Sequence, residues 1–590
     1  MIVDTIKSLV SKSINNLYNQ TFPENVFQIN LTKPEFEGDY TVVLFSLIKS
    51  LKTNPDALGE ALGNHLTTTY PKLFTGFTLI KGFLNLTIAD GYWINFLMSN
   101  YDNVQFGKLP FTGKKVMVEY SSPNTNKPLH LGHLRNNFLG WSISEILKAN
   151  GNEVIKSCVV NDRGIHICKS MIAWLKYGNG STPETTLQKG DHFVGDYYVK
   201  FNDVYKKEVE QLIVSGISKD IAEKEAPIMK AAQQMLIDWE AGKPEVISVW
   251  EQMNHWVYEG FEKTYNRIGT DFDKVYYESS TYLLGKKMVE EGLGKGVFTQ
   301  KSDNSVWIDL TNDGLDEKIV QRKDGTAVYI TQDIGLAVEK YNDFNCEESI
   351  YVVGDEQNYH FKVLKLICEK MSVPAAKGIY HLSYGMVELP TGKMKSREGT
   401  VVDADDLVDE MVKISASHTE ALGKVKDFNN DELSELYETI GIGALKFFLL
   451  RVDPKKKMIF NPEESIDFHG FTGPFIQYTH ARIRSILRKE HPSSDKFECY
   501  SLLPLEKELL VLIEQFRETI NQSANEQNPS LIAIYVFNLA KVYNSFYAEL
   551  SVNNAESEEK KQLRLRLSLM TANILKSGME LLGIKVPSRM

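Results

Sequence analysis

Two imidazoles stand three residues apart at His130 and His133, with Gly132 between them and with Asn124 and Lys127 just upstream. Held at the start of a helix, such a pair can grip phosphate. The first turn offers unpaired backbone N–H groups and the positive end of the helix dipole, and an imidazole N–H can donate to a phosphoryl oxygen as charge builds there. Gly132 lets a nucleotide approach the backbone. Taken alone, the spacing suits a metal pair or a satisfied surface pair as well. A second run, Thr391 to Gly399 (TGKMKSREG), packs Lys393, Lys395 and Arg397 between two glycines about 260 positions later. A phosphoryl or adenylyl transfer asks mainly for positive charge aimed at the phosphates, and a glycine-flanked cationic loop that closes over a nucleotide supplies it. By itself that loop also reads as an ordinary exposed basic turn.

Both motifs need elements to hold them. Lys115 to Tyr120 (KVMVEY) reads as a strand, and Leu134, Phe138, Trp141 and Leu147 set a helical period that Asn150-Gly151 closes. The histidines then fall on that helix's first turn. Val154 to Val160 completes a strand-helix-strand unit of a parallel sheet, followed by the polar loop Asn161 to Gly164. A polar, helix-rich insertion is expected at about 180–265. The sheet pattern resumes at Val306 to Leu310, at Ala327 to Ile330, and at Ile350 to Val353 running into Gly354-Asp355. Ligands of open parallel sheets bind at the carboxyl ends of strands, where these polar loops fall. The expected architecture is a multidomain α/β chain. Residues 1–110 form a small α+β domain, 111–464 a Rossmann-like catalytic domain with the helical insertion, and 465–590 an all-α bundle.

Composition narrows the class. A chain of 590 residues exceeds one core, and no run approaches the ~18 consecutive apolar residues of a membrane span. The opening MIVDTIKSLV carries Asp4 and lacks the pattern of a signal peptide, so a cytoplasmic protein without membrane contact is expected. Five scattered cysteines with no C-x-x-C pair argue against structural zinc and against a disulfide framework. The net charge of −11 disfavours nucleic acid unless basic residues gather locally. They do gather late: around Lys446, Arg451 and Lys455 to Lys457, then Arg482 to Lys489, then Lys560, Lys561, Arg564 and Arg566. Each cluster reads either as a phosphate-binding face or as a solvated helix face.

HLGH followed by KMKSR resembles the paired hallmark sequences of class I aminoacyl-tRNA synthetases. The flanks resemble the arginyl-tRNA synthetase family: EYSSPNTNKPLHLGHLRNN (119–137), RKDGTAVYITQDIGLA (322–337), VVGDEQNYHF (352–361), GPFIQYTHARI (473–483) and the terminal LLGIKVPSRM. The resemblance implies ATP-dependent ligation of L-arginine to tRNA(Arg) through an arginyl-adenylate, by a monomer, with magnesium carried on the nucleotide and no metal site in the protein. It implies that His130, Gly132 and His133, with Lys393, Met394, Ser396 and Arg397, hold ATP. Asp333 becomes the partner of the guanidinium, Tyr329 a ring or hydroxyl contact, Gln357 a further polar contact, and Asn124 a neighbour of the amino-acid end. Glu278 in YYESS is an added carboxylate. A guanidinium never loses its charge, so a selective pocket needs such carboxylates. Without the resemblance, Asp333 reads as a helix N-cap.

The cationic loop departs from the family pattern, with Ser396 where a lysine is usual. Lys395 or Arg397 can substitute, and Lys127 is expected to carry part of the missing lysine's role from the other side. The bundle resembles the family's anticodon-binding domain. Tyr478, His480 and Arg482, with Tyr543 and Tyr547, offer stacking faces and cations for single-stranded bases, or are core residues at helical spacing. By resemblance the N-terminal domain touches the tRNA elbow. The competing readings are a class I synthetase for another amino acid, a related nucleotidyltransferase sharing only the phosphate motifs, and a non-catalytic RNA-binding relative. Asp333 argues against an apolar substrate, because an unpaired buried carboxylate is costly.

Overall fold

In this computed structural model, residues 1–33, 35–326, 328–388, 390, 402–421, 423, 427–493 and 501–590 are described. Five parallel strands form the centre, in the spatial order Ile379–Tyr384, Glu348–Gly354, Lys115–Glu119, Glu153–Val160, Lys274–Tyr277. Strands covered on both faces read as near-continuous apolar runs, and Val116, Met117 and Val118 are at most 1% exposed. From Lys115 the chain steps outward through Glu153 to Lys274, then crosses to Glu348 on the other side. The order therefore reverses between the Lys115 and Glu348 strands, and the crevice of an open parallel sheet lies at that reversal.

The Leu131–Ala149 helix follows the Lys115 strand and buries Leu134, Phe138, Ile143 and Ile146. Gly140 permits its close approach to the sheet: a Cβ there would stand 2.3 Å from that of Tyr120. The expected insertion is helical, with long helices at Gly190–Val214, Pro227–Glu240 and Pro244–Ile268.

Two expected strands are corrected. Val306–Ile308 pairs antiparallel with Thr299–Gln300 and Lys318–Gln321 in a separate three-stranded sheet, not in the central one. Val328 to Ile330 is no strand, because Tyr329–Phe344 is one helix; Ala327 lies outside the described residues. The β-branched and aromatic preference of this run yields to burial, since Ile330 and Ile334, four apart, both pack into the core of the small sheet with Val306, Ile308 and Val320.

At the N-terminus an antiparallel sheet (Ile29–Leu31, Tyr40–Val43, Phe83–Ile88, Phe74–Ile80) packs with the Ile2–Tyr18 and Pro55–Thr69 helices. Asn54 caps the latter from its side chain, and Pro55 opens it. The C-terminal region is a set of helices, Gly473–Lys489, Pro504–Glu514, Phe516–Glu526, Ser530–Glu549 and Glu558–Leu581. Among the described residues, no helix is long and apolar enough to cross a membrane. Cys158, Cys168, Cys346 and Cys368 are free and buried, and Cys499 lies outside the described residues.

Candidate active site

His130 is the N-cap of the Leu131–Ala149 helix and His133 sits in its first turn, with ring centroids 3.9 Å apart. The Gly132 N–H donates to His130 Nδ1 at 3.1 Å, and the His130 N–H donates to His133 Nδ1 at 3.1 Å. Burial, reinforced by the Lys127 ammonium, pushes His130 down to about 4, and burial, His130 and Lys127 hold His133 well below the usual imidazole range. Both rings are therefore neutral near pH 7, and because each Nδ1 accepts, each proton resides on Nε2. Two N–H donors are left for an incoming anion. A side chain at position 132 would stand 3.0 Å from the His130 ring, so glycine also keeps that imidazole in place.

The approach loop is held under strain. Ser121 (φ 73°) and Ser122 (φ 45°) both occupy the left-handed region, which costs side-chain-bearing residues about 1–3 kcal/mol each. The loop is fixed from several directions. The Ser121 N–H donates to Asn136 Oδ1 at 2.5 Å, Ser121 Oγ meets Tyr265 OH at 2.7 Å, and Asn136 Nδ2 donates to the Val352 carbonyl at 2.7 Å. Asn124 is exposed and bridges by its backbone to Asn161 in the loop after the Glu153–Val160 strand. Asp162, 1% exposed, accepts from Tyr258 OH, Ser279 N and Ser279 Oγ, and so fixes the start of the Glu278–Thr281 turn. The sequence marked this polar loop without assigning Asp162 that role.

A group of acidic and polar side chains stands on the elements that flank the Glu348–Gly354 strand. Tyr329 and Asp333 lie one turn apart on the Tyr329–Phe344 helix, so Asp333 is interior to it; the N-cap is Val328. Tyr329 is 72% exposed and the Asp333 side chain 41%, both open to a ligand. Burial pushes the Glu278 carboxyl up; Arg163 opposes this while Asp162 and Asp333 add to it, so Glu278 and Asp333 feel one another's charge. Gln357 is exposed in the short turn Asp355–Gln357 beyond the Glu348–Gly354 strand. His360, which sequence reasoning passed over, sits three residues on, with Nε2 2.7 Å from Asp333 Oδ2.

Lys393, Met394, Lys395, Ser396 and Arg397 lie outside the described residues. Val402 and Ala404 lie against the histidine motif: the Leu131 N–H donates to the Val402 carbonyl at 3.1 Å and the Ala404 N–H to the Leu129 carbonyl at 3.0 Å. Beyond it, Lys189 Nζ reaches Asp191 Oδ2 (3.0 Å), Asp405 Oδ2 (2.6 Å) and Thr264 Oγ1 (2.5 Å), and His192 lies 3.3 Å from both Asp403 and Asp405. A cavity of about 240 Å³ opens between this cluster and the motif, lined by Lys127, His130, Gln188, His192, Asp196 and Asp406 among others.

In the bundle, the Arg482 guanidinium lies 4.9 Å from the Tyr478 ring centre and 5.3 Å from that of Tyr547, which is 41% exposed. Arg482 and Tyr547 border a groove with Lys489, Asn553 and Asn554. His480 and Tyr543 depart from expectation as base-stacking faces. His480 is 4% exposed, bonded through Nδ1 to the Pro587 carbonyl, and burial holds it down to about 4; Tyr543 is fully buried on Ser568. Helical spacing turns both into the core. The late basic clusters also divide: Lys446, Arg564 and Arg566 are at most 5% exposed, with Arg564 paired to Glu506 and Glu556.

Comparison with known proteins agrees with this arrangement. Residues 97–461 match the profile for the class I tRNA synthetase (R) catalytic domain, 476–590 that for the DALR anticodon binding domain, and 4–88 that for the arginyl tRNA synthetase N terminal domain. The arginine–tRNA ligase of Flavobacterium psychrophilum is 51% identical, covering 99% of this chain and 100% of its own length. That of Bacteroides thetaiotaomicron is 50% identical over the whole of both. The fold is shared with Thermus thermophilus arginyl-tRNA synthetase at a TM-score of 0.82 and 23% identity, covering 100% of both chains. With three profiles in order and half of all residues identical along the full length, the chain belongs to the arginyl-tRNA synthetase family of class I aminoacyl-tRNA synthetases.

Proposed function

We propose that this chain ligates L-arginine to tRNA(Arg) with ATP, through an arginyl-adenylate, releasing AMP and diphosphate. One observation carries the reading: a helix N-terminus bearing two neutral imidazole donors and an acidic wall of Asp333 and Glu278 open at one edge of one sheet. The first suits the phosphates of ATP and the second a guanidinium. The arginine carboxylate, already ionised, attacks the α-phosphorus without a general base, and diphosphate leaves. His130 and His133 donate from Nε2 to phosphoryl oxygens as charge develops, Gly132 leaves the backbone open, and Lys127 with Lys393, Lys395, Ser396 and Arg397 surrounds the leaving diphosphate. Asp333 and Glu278 pair with the guanidinium, Tyr329 and Gln357 border it, and Asn124 faces the amino-acid end.

Magnesium enters on ATP as part of the substrate, and Asp196 and Asp406 on the cavity wall are hard oxygen donors that fit a hydrated ion. The 2′-hydroxyl of the tRNA's terminal adenosine then attacks the carbonyl of the mixed anhydride, and AMP leaves. Tyr478, Arg482 and Tyr547 hold splayed anticodon bases, and the N-terminal region meets the tRNA elbow. We further propose a cytoplasmic monomer divided at 1–110, 111–464 and 465–590, with adenylate formation awaiting tRNA. The test is arginine-dependent exchange of labelled diphosphate into ATP, with and without tRNA(Arg), with lysine and citrulline as controls. Exchange confined to arginine and appearing only with tRNA supports substrate, mechanism and gating together. Exchange without tRNA removes the gating, and none in folded protein removes the enzyme.

A further inference from the structure

The Asp333 carboxylate is held by a group that no role yet covers. His360 lies in the first turn of the Asn358–Lys370 helix, and its Nε2 meets Asp333 Oδ2 at 2.7 Å across the gap to the Tyr329–Phe344 helix. Its ring is braced rather than loose. It stands edge-on to Phe361 (5.6 Å, 87°), which stacks on His381 (4.4 Å, 25°) and packs against Tyr351 (5.2 Å). His381 Nε2 lies 3.0 Å from the Val353 carbonyl, which can only accept, so the stack is pinned to the end of the Glu348–Gly354 strand. From strand end to Asp333 the order is Val353, His381, Phe361, His360.

A carboxylate offers about four lone-pair sites, and a guanidinium in a forked contact uses two. A donor fixed on one oxygen sets the carboxylate plane and leaves the other lone pairs facing the pocket. Resting on the reading of Asp333 as the guanidinium partner, we infer that His360 is a positioning residue for arginine recognition, holding the Asp333 carboxylate in the plane a guanidinium needs. On this assignment it acts through Asp333, so its influence falls on arginine binding.

The experiment compares wild type, His360→Ala and His360→Gln in diphosphate exchange, with arginine affinity measured separately by calorimetry. Loss of a hydrogen bond to a charged group predicts an arginine KM and Kd raised about tenfold or more in His360→Ala, with kcat and the KM for ATP within about threefold of wild type. His360→Gln, which keeps an N–H donor, recovers most of the loss. An unchanged arginine Kd in His360→Ala, a parallel loss of ATP affinity and kcat, or a glutamine variant as poor as alanine would overturn the assignment while leaving the ligase reading intact. A wild-type protein that neither binds nor exchanges with arginine would overturn both.

Discussion

The Lys127 ammonium lowers both imidazoles, adding to the effect of their burial. It lines the cavity with His130, the cavity to which the proposed function assigns the phosphates. On that reading Lys127 carries part of the role of the lysine that Ser396 replaces in the sequence. Lys127→Ala should therefore slow adenylate formation at least about tenfold, roughly 1.4 kcal/mol of transition-state stabilisation, with arginine KM unchanged. A rate within about threefold of wild type, under ~1 kcal/mol, would remove the idea. At this scale the sequence was legible where the information is local. His130 and His133 are neighbours through one helical turn, and no distant residue is needed to pair them. His480 stayed open between a stacking face and a core residue, because the partner that settles it is the Pro587 carbonyl, 107 positions away.

Element positions depend on partners that local pattern does not name. The run Val328-Tyr329-Ile330 has strand propensity, yet a helix forms because Ile330 and Ile334 both find the small sheet's core. That outcome moves Asp333 from a cap to the second turn, beside His360. A similar long-range partnership joins the Gly190–Val214 insertion helix to the Ala404–Ala421 helix through Lys189, Asp191, His192, Asp403, Asp405 and Thr264. The bond to Asp405, with Asp403 and Asp191 nearby, raises His192 against its burial and the Lys189 charge. A raised folded-state value means that His192 contributes fully below the unfolded imidazole value of about 6.5, and that its contribution is lost as pH climbs through the folded value. Burial pushes the Asp191 and Asp403 carboxyls up, while bonds to His192 and Lys189 hold Asp405 down against its burial, so the His192→Gln variant is what isolates the imidazole's part of the alkaline loosening. Hydrogen exchange at the start of the two helices, corrected for intrinsic rate, should be several-fold faster at about pH 8.5 than at about pH 6, and His192→Gln should abolish the difference. Equal protection at both values would count against the assignment. Lys189→Met, which strands the fully buried Asp191, should cost about 3–5 kcal/mol in urea unfolding of the insertion.

Across the whole molecule, the two ends of the chain meet. Ile2 N donates to Glu514 Oε1 at 2.8 Å, the Leu502 N–H donates to Asp90 Oδ2 at 3.0 Å, and Arg566 lies over the Tyr101 ring at 5.1 Å. These contacts span more than 400 residues of sequence, so composition and periodicity could delimit the terminal regions but not dock them. Lys507 is the polar centre of the joint. Its ammonium lies 2.8 Å from Asp39 Oδ2 and 3.9 Å from Asp90, and donates to the Ile88 carbonyl at 3.0 Å. Lys507 and Asp39 are 20% and 14% exposed, so removing one leaves the other's charge largely dry, at a cost of about 3 kcal/mol to the joint. Among the described residues, these contacts of Lys507 involve no group of the central five-stranded sheet. If one tRNA is held at its elbow by the N-terminal region and at its anticodon by the bundle, a fixed joint sets the spacing between the two contacts in advance, and a loose one must be ordered on binding. Lys507→Met should then raise the KM for tRNA(Arg) about tenfold while the KM values for ATP and arginine stay within about twofold. The charge-reversed pair Lys507→Asp with Asp39→Lys should recover part of that loss, because it restores attraction across the same gap. A tRNA KM unmoved by Lys507→Met would mean that the two ends bind RNA independently and that their contact serves stability alone.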